Sequence, residues 1–293
     1  MYTIKTRGEK AFDIFCVVLM VLLAFIFIYP FWDTLMLSLS NSKDAMKMGI
    51  RLLPSIPLDF DAYRMVFKEK IFLIAVGNSL FRTVVGTVWA TFWTFTAAFV
   101  MAKKTLPFRG VLTGFMAFTM FFGGGLIPSY MVIKNLGLLG SRLVWILPGM
   151  TGIWDILIAR NFIMGLPEGV EEAAVVDGAS VFAILFRVVM PMSTPVLGVL
   201  ALWNAVGSWN AWYDAYLYTN TEKLMLLQLL LRRILVDSTK DLVDKTLVRD
   251  AVGTTPETVK AATIVVTVLP IACTYPFFQR YFVKGINVGS IKG

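Results

Sequence analysis

The fold turns on a stretch in the second half of the chain, Pro167-Glu168-Gly169-Val170-Glu171-Glu172-Ala173-Ala174-Val175-Val176-Asp177-Gly178-Ala179-Ser180, which runs on to Val188-Val189-Met190-Pro191. It reads as helix, break, helix. Pro167 suits a first helical position, where its missing N–H costs nothing. Glu168, Glu171 and Glu172 fall in the opening turns, where the helix dipole favours negative charge. Gly178 permits a left-handed C-terminal turn, and Ser180 can cap a second helix beginning at Val181. Phe182, Leu185 and Val189 then form one apolar stripe, and Pro191 ends the element and starts the next apolar run.

Outward from this stretch the chain is dominated by long apolar runs. Of its 293 residues 57% are hydrophobic and 16% charged, where a soluble domain is nearer half apolar and about a quarter charged. Runs of about eighteen or more apolar residues read as membrane-spanning helices, and their continuous character favours helices over barrel strands. About six are expected, at 11–37, 71–102, 110–133, 143–164, 192–218 and 259–283. The first resembles a signal peptide but is too long for one and lacks a small-residue cleavage site. Gly123, Gly124, Gly125 and Pro128 predict a bent far end for the third. Residues 38–70 and 219–258 are mixed-charge aqueous loops, the second carrying Asp237, Lys240, Asp241, Asp244, Lys245, Arg249 and Asp250.

Six spans put both termini on one side. The basic tail 1–10, the basic loop 103–109 and the tail 284–293 then share that side, which the positive-inside rule makes cytoplasmic. The segment 165–191 is cytoplasmic too, and 38–70 and 219–258 are external. Acids in a connector beside anionic lipid are unusual; they suggest a protein partner with a basic docking surface, the ordinary alternative being an amphipathic connector.

The formal charge of +8 is accounted for by basic cytoplasmic loops, an anionic ligand being the alternative. Cys16 and Cys273 lie in apolar runs and read as small buried hydrophobes. The absence of histidine excludes His-based triads and HExxH zinc sites, so neither a catalytic nor a metal site is expected. No Gly-x4-Gly-Lys-Ser/Thr phosphate loop is present, and nothing points to nucleic acid. An ion-coupled secondary transporter is the competing class, but Asp33, Asp155 and Asp214 are few and lie toward span ends.

Glu172-Ala173-Ala174, three residues, Gly178, nine residues, Val188, one residue, Met190 and Pro191 resemble the EAA motif of binding-protein-dependent ABC importer permeases, with Val188 for the usual Ile and Met190 for the usual Leu. Asn78-Ser79, Arg160-Asn161-Phe162 and Trp209-Asn210 resemble the carbohydrate, maltose-type branch. Gly124-Gly125-Leu126-Ile127-Pro128, Leu136-Gly137-Leu138 and Lys284-Gly285-Ile286 are similar to a subgroup associated with complex oligo- and polysaccharides, alginate importers among them.

The resemblance implies an all-α membrane protein of the type I ABC importer permease fold, multi-pass in a bacterial inner membrane. It implies that Glu171, Glu172, Ala173, Ala174, Asp177, Gly178, Ala179 and Pro191 form the surface that couples to an ATPase. Glu172 would be the charged contact and the alanines would allow close approach. The implied partners are a second, larger permease, two cytoplasmic ATPase subunits that use ATP and Mg, an external or periplasmic solute-binding protein, the bilayer and a carbohydrate. No cofactor is expected on this chain. In the fifth span Asn204, Trp209, Asn210 and Tyr213, with Arg82 of the second, are candidates for a substrate pathway. Aromatics stack on sugar faces, although Trp and Tyr also gather at membrane interfaces. Arg82 and Asp155 are otherwise read as a structural pair or as snorkelling groups.

Overall fold

A computed structural model describes residues 6–47, 49–149, 151–219, 221–236 and 255–290, with residues 168 and 275–290 described as backbone. The charged cluster between Asp237 and Asp250 and the ends of both tails lie outside the described residues. Among the described residues every regular element is helical: α1 (Arg7–Ser38), α2 (Ser42–Ala45), α3 (Asp61–Lys68), α4 (Lys70–Ala102), α5 (Arg109–Phe121), α6 (Leu126–Asn135), α7 (Ile153–Met164), α8 (Glu168–Val176), α9 (Val181–Met192), α10 (Thr194–Asn210), α11 (Tyr213–Tyr218), α12 (Leu227–Val236) and α13 (Pro256–Ser290), with short 3-10 turns between some of them. The chain divides into two compact units, Met1–Glu69 with Arg233–Val268 and Lys70–Arg232 with Leu269–Gly293.

In the first unit α1 opens with a capping box. The Thr6 Oγ1 accepts from the Glu9 N–H at 3.3 Å, and the Glu9 carboxylate accepts from the Thr6 N–H at 2.6 Å, which satisfies two of the helix's orphan donors. At about 1.5 Å per residue the helix is roughly 48 Å long. Its most apolar window has a mean hydropathy of 3.0 and none of it is buried, as a lipid-facing helix requires. The loop expected at 38–70 folds back on the end of α1. Ser38 Oγ meets the Tyr63 hydroxyl at 2.6 Å, Trp32 Nε1 donates to the Leu52 carbonyl at 3.0 Å, and the Arg51 guanidinium donates to the Ala45 and Lys47 carbonyls.

In the second unit α4 is the central element, packed on α7 and α10. Phe95, Ala98, Phe99, Ile156, Ala159, Ile163, Leu185, Val189 and Leu200 make its core. Ala98 and Ala159 are fully buried; small side chains of this kind let helices in a bilayer approach closely, where packing rather than a hydrophobic drive holds them.

Three of the expected spans are interrupted. As the glycines predict, α5 and α6 meet at 113°, across Gly123–Gly125, where Gly125 adopts φ +83°. The segment 143–164 is not one helix. Arg142–Trp145 forms a 3-10 turn, Pro148, Gly149 and Gly152 follow, and α7 has 12 residues, or about 18 Å against a hydrocarbon core of about 30 Å. The segment 192–218 is broken as well. α9 and α10 meet at 83°, and a second break separates α10 from α11. Pro195 explains the first break: it lacks the N–H that would bond the Pro191 carbonyl, and Thr194 Oγ1 takes that carbonyl instead at 2.6 Å. Among the described residues, length and apolar composition therefore give three helices able to span, α1, α4 and the start of α13, and up to five if each bent pair crosses once.

Pro191 corrects a further expectation. It does not end its element: α9 continues through it to Met192. The preceding turn widens to a π-helix over Ile184–Val189, with the Met190 N–H bonded to the Leu185 carbonyl. A helix already shifted to longer bonds has no i−4 bond for the proline to break.

Candidate functional site

The helix–break–helix of residues 167–192 forms by local rules. Pro167 stands one position earlier than expected, as the N-cap at φ −60°, ψ 120°, and α8 begins at Glu168. At its far end Gly178 takes φ +75°. The Ala179 N–H bonds the Ala174 carbonyl at 2.9 Å and the Gly178 N–H bonds the Val175 carbonyl at 3.0 Å. These are the two bonds of a Schellman turn, and the left-handed residue they need is the glycine. Ser180 Oγ then accepts from the Ala183 N–H at 3.3 Å, capping α9 as the sequence predicts.

The faces are sorted more finely than the sequence suggests. Leu185 and Val189 are buried, but Phe182 is 73% exposed. The π-helical stretch rotates the later residues relative to an α-helical stripe, so Ile184 enters the core with Leu185 in place of Phe182. Of the motif's alanines, Ala174 and Ala179 pack against that core, while Ala173 faces outward with Glu172, Val176, Asp177 and Gly178. The two glutamates divide in the same way. Among the described residues Glu172 makes no hydrogen bond or ion pair. Glu171 is paired with Lys103, just beyond α4, whose ammonium also sits 4.0 Å from the Phe99 ring centre. Between α8, the end of α7 and residues 102–105 runs a mostly apolar groove of about 540 Å³.

A second polar cluster lies along α4. Arg82, 7% exposed, donates from Nη1 and Nη2 to both carboxylate oxygens of Asp214, at 2.9 and 2.5 Å. One turn earlier Asn78 Nδ2 donates to the Lys223 and Met225 carbonyls, each at 3.0 Å, and Ser79 Oγ accepts from the Leu227 N–H at 2.9 Å. The connection following α11 is thereby stitched to α4. A buried guanidinium needs a counter-charge. The structure supplies it from Asp214 at the start of α11, so of the two readings, structural pair or snorkelling group, Arg82 takes the first, with Asp214 as its partner.

The other pathway candidates are distributed along α10 and α11. Asn204 Nδ2 donates to the Leu200 carbonyl of its own helix at 2.9 Å. Trp209 is buried. Asn210 is exposed and its Oδ1 accepts from Gln228 Nε2 at 3.3 Å. Tyr213 is half exposed, edge-on to Trp212 at 5.4 Å, and Trp212 in turn receives the Arg232 guanidinium 3.9 Å from its ring centre. Sequence reasoning missed Asp214 as the partner of Arg82 and Lys103 as the partner of Glu171. The available signal was charge matching: an arginine inside an apolar run demands an acid, though nothing local says which.

No family model matches the chain. Protein LplC of Bacillus subtilis (strain 168) is 36% identical over 290 residues, covering 99% of this chain and 97% of that protein. The polygalacturonan/rhamnogalacturonan transport system permease protein YtcP of the same organism is 33% identical over 285 residues, covering 97% of this chain and 99% of YtcP. Among solved structures, a chain of a bacterial ABC transporter involved in the import of the acidic polysaccharide alginate superposes with a TM-score of 0.88 at 29% identity, covering 96% of this chain and 100% of that one. The chain belongs to the carbohydrate ABC transporter permeases, integral membrane components of transporters.

Proposed function

We propose that the chain is one permease half of an ATP-driven, solute-binding-protein-dependent importer of oligo- or polysaccharide in a bacterial inner membrane, with acidic polysaccharides as the substrate class. One observation carries the coupling role: a helix–turn–helix presents Glu172, Val176, Asp177 and Phe182 outward while its other face packs into the core around α4. An acid beside exposed apolar side chains is a docking surface for a partner with a basic rim, and the EAA pattern on it is what supports an ATPase as that partner.

In this reading two ATPase subunits bind ATP and Mg, close on one another and carry the 165–191 segments of two permeases with them. The second permease is a different, larger chain. The membrane helices follow as rigid bodies and alternate the side on which the pathway is open. Both termini are cytoplasmic, and the loops at 38–70 and 219–258 are external, where a solute-binding protein delivers sugar. Substrate class rests on the relatives, whose names specify polygalacturonan and alginate. Asn204, Trp209, Asn210, Tyr213 and Arg82 are the candidate pathway residues. The charge of Arg82 is already matched by Asp214, so it brings no net charge to an acidic sugar.

The test is Glu172→Lys in the assembled complex. Reversing a charge buried at an interface costs about 2–5 kcal/mol of association. The ATPase should no longer co-purify and ATP-dependent uptake should be lost, with membrane insertion and thermal stability unchanged. Normal uptake by this variant, or wild-type uptake that runs on an ion gradient without ATP, overturns the reading.

A further inference from the structure

We propose that Lys103 is a positioning residue that makes the coupling helix α8 and the C-terminal end of α4 move as one body, and that Glu171 serves this internal strut rather than the ATPase surface. The inference rests on the reading that α8 docks on an ATPase. It adds how the displacement would reach the membrane helices.

α4 ends at Ala102, and three contacts fix that end. The Lys103 ammonium pairs with Glu171 of α8 and lies over the Phe99 ring of its own helix. A cation there also complements the negative end of the α4 dipole. Arg160 Nε of α7 donates to the Met101 carbonyl at 3.1 Å, taking one of the acceptors a helix C-terminus leaves open. Ala98 and Phe99 pack with Ala159 and Ile163. Between the end of α4 and α8, however, runs the groove of about 540 Å³, lined by Ala102, Lys103, Thr105, Val170, Glu171 and Val176 among others. Side-chain packing does not fill this gap, and the ion pair crosses it.

The side chains of Lys103 and Glu171 are 27% and 38% exposed. A pair this wet contributes little to folding, so its loss should loosen the linkage without unfolding the protein. The sorting of the two glutamates fits: Glu171 is engaged inside the chain and Glu172 is left for a partner.

The test uses the assembled transporter with Cys16→Ser, Cys273→Ser and Val88→Cys, the last being an exposed position on α4 that carries an environment-sensitive fluorophore. The readouts are ATP hydrolysis and the ATP-driven fluorescence change. Lys103→Glu should keep the ATPase bound and hydrolysing but shrink the fluorescence response by about fivefold or more. Adding Glu171→Lys should restore it, and Lys103→Arg should behave as wild type. A full response from Lys103→Glu, or no restoration by the swapped pair, overturns the role of Lys103 and leaves ATPase docking standing. No ATP response in the wild-type complex overturns docking and strut together. Should Lys103→Glu fail to assemble, Lys103→Cys with Glu171→Cys decides the matter. A short cross-link between them should recover the response, and a cross-link that abolishes it shows that the two ends must separate.

Discussion

The 165–191 segment and the polar cluster on α4 contain the same kinds of residue, acids, small side chains and hydroxyls, but they are held by different physics. The 165–191 segment closes on itself: its Schellman turn, the Ser180 cap and the glycine at φ +75° join residues a few positions apart. Its outer face is exposed. The α4 cluster joins residues 132 to 148 positions apart, Arg82 to Asp214, Asn78 to Lys223 and Met225, Ser79 to Leu227, and most of it is buried. An exposed surface can be built from local rules that leave it free. A seam inside an apolar bundle must find most of its polar partners within the chain, and here only Arg82 Nε of the three α4 side chains is left without one.

Substitutions can break this contrast, and the largest stability effect should come from the seam. Asp214→Asn leaves a buried guanidinium without its counter-charge and should cost about 3 kcal/mol, read as a lower thermal midpoint of the detergent-solubilised protein. The double variant Arg82→Met with Asp214→Leu should recover most of that loss; equal damage from both would mean that the pair itself stabilises the fold. Gly178→Val should come next. Nothing lies within 4 Å of a Cβ built there, so the penalty is conformational, about 1–2 kcal/mol for a left-handed β-branched residue. It should fall on the local turn and on uptake more than on the global midpoint. Ser180→Ala removes one cap and should cost about 1 kcal/mol, seen as faster hydrogen exchange at Ala183. Glu172→Ala should leave the thermal midpoint unmoved while weakening ATPase association. A large loss of stability there would show that the outward glutamate is structural after all.

Legibility followed the same division. Pro167, Gly178 and Ser180 announced their turn because capping and left-handed geometry are set by one or two residues. The apolar runs announced α1 and α4 in the same way. The bend in the third run was legible from three glycines, but the breaks at Ser193 and before α7 were not expected, although Pro195 and Pro148 stand beside them. An apolar run tells what a segment can be buried in, and hydropathy does not register a missing N–H. The stripe through Phe182 failed because a π-helical turn changes the period on which any stripe is drawn.

By itself the sequence determined a helical membrane protein and the capped turn within residues 167–180, since each depends on solvent preference or on neighbours in the chain, while its place among carbohydrate permeases came from resemblance to that family. Only the tertiary structure decided that Glu171 turns inward to Lys103 while Glu172 stays free, and that Asp214 rather than Asp155 answers Arg82. An ion pair is chosen by distance in space. Several acids of equal charge were available, and only folding brought one of them within reach.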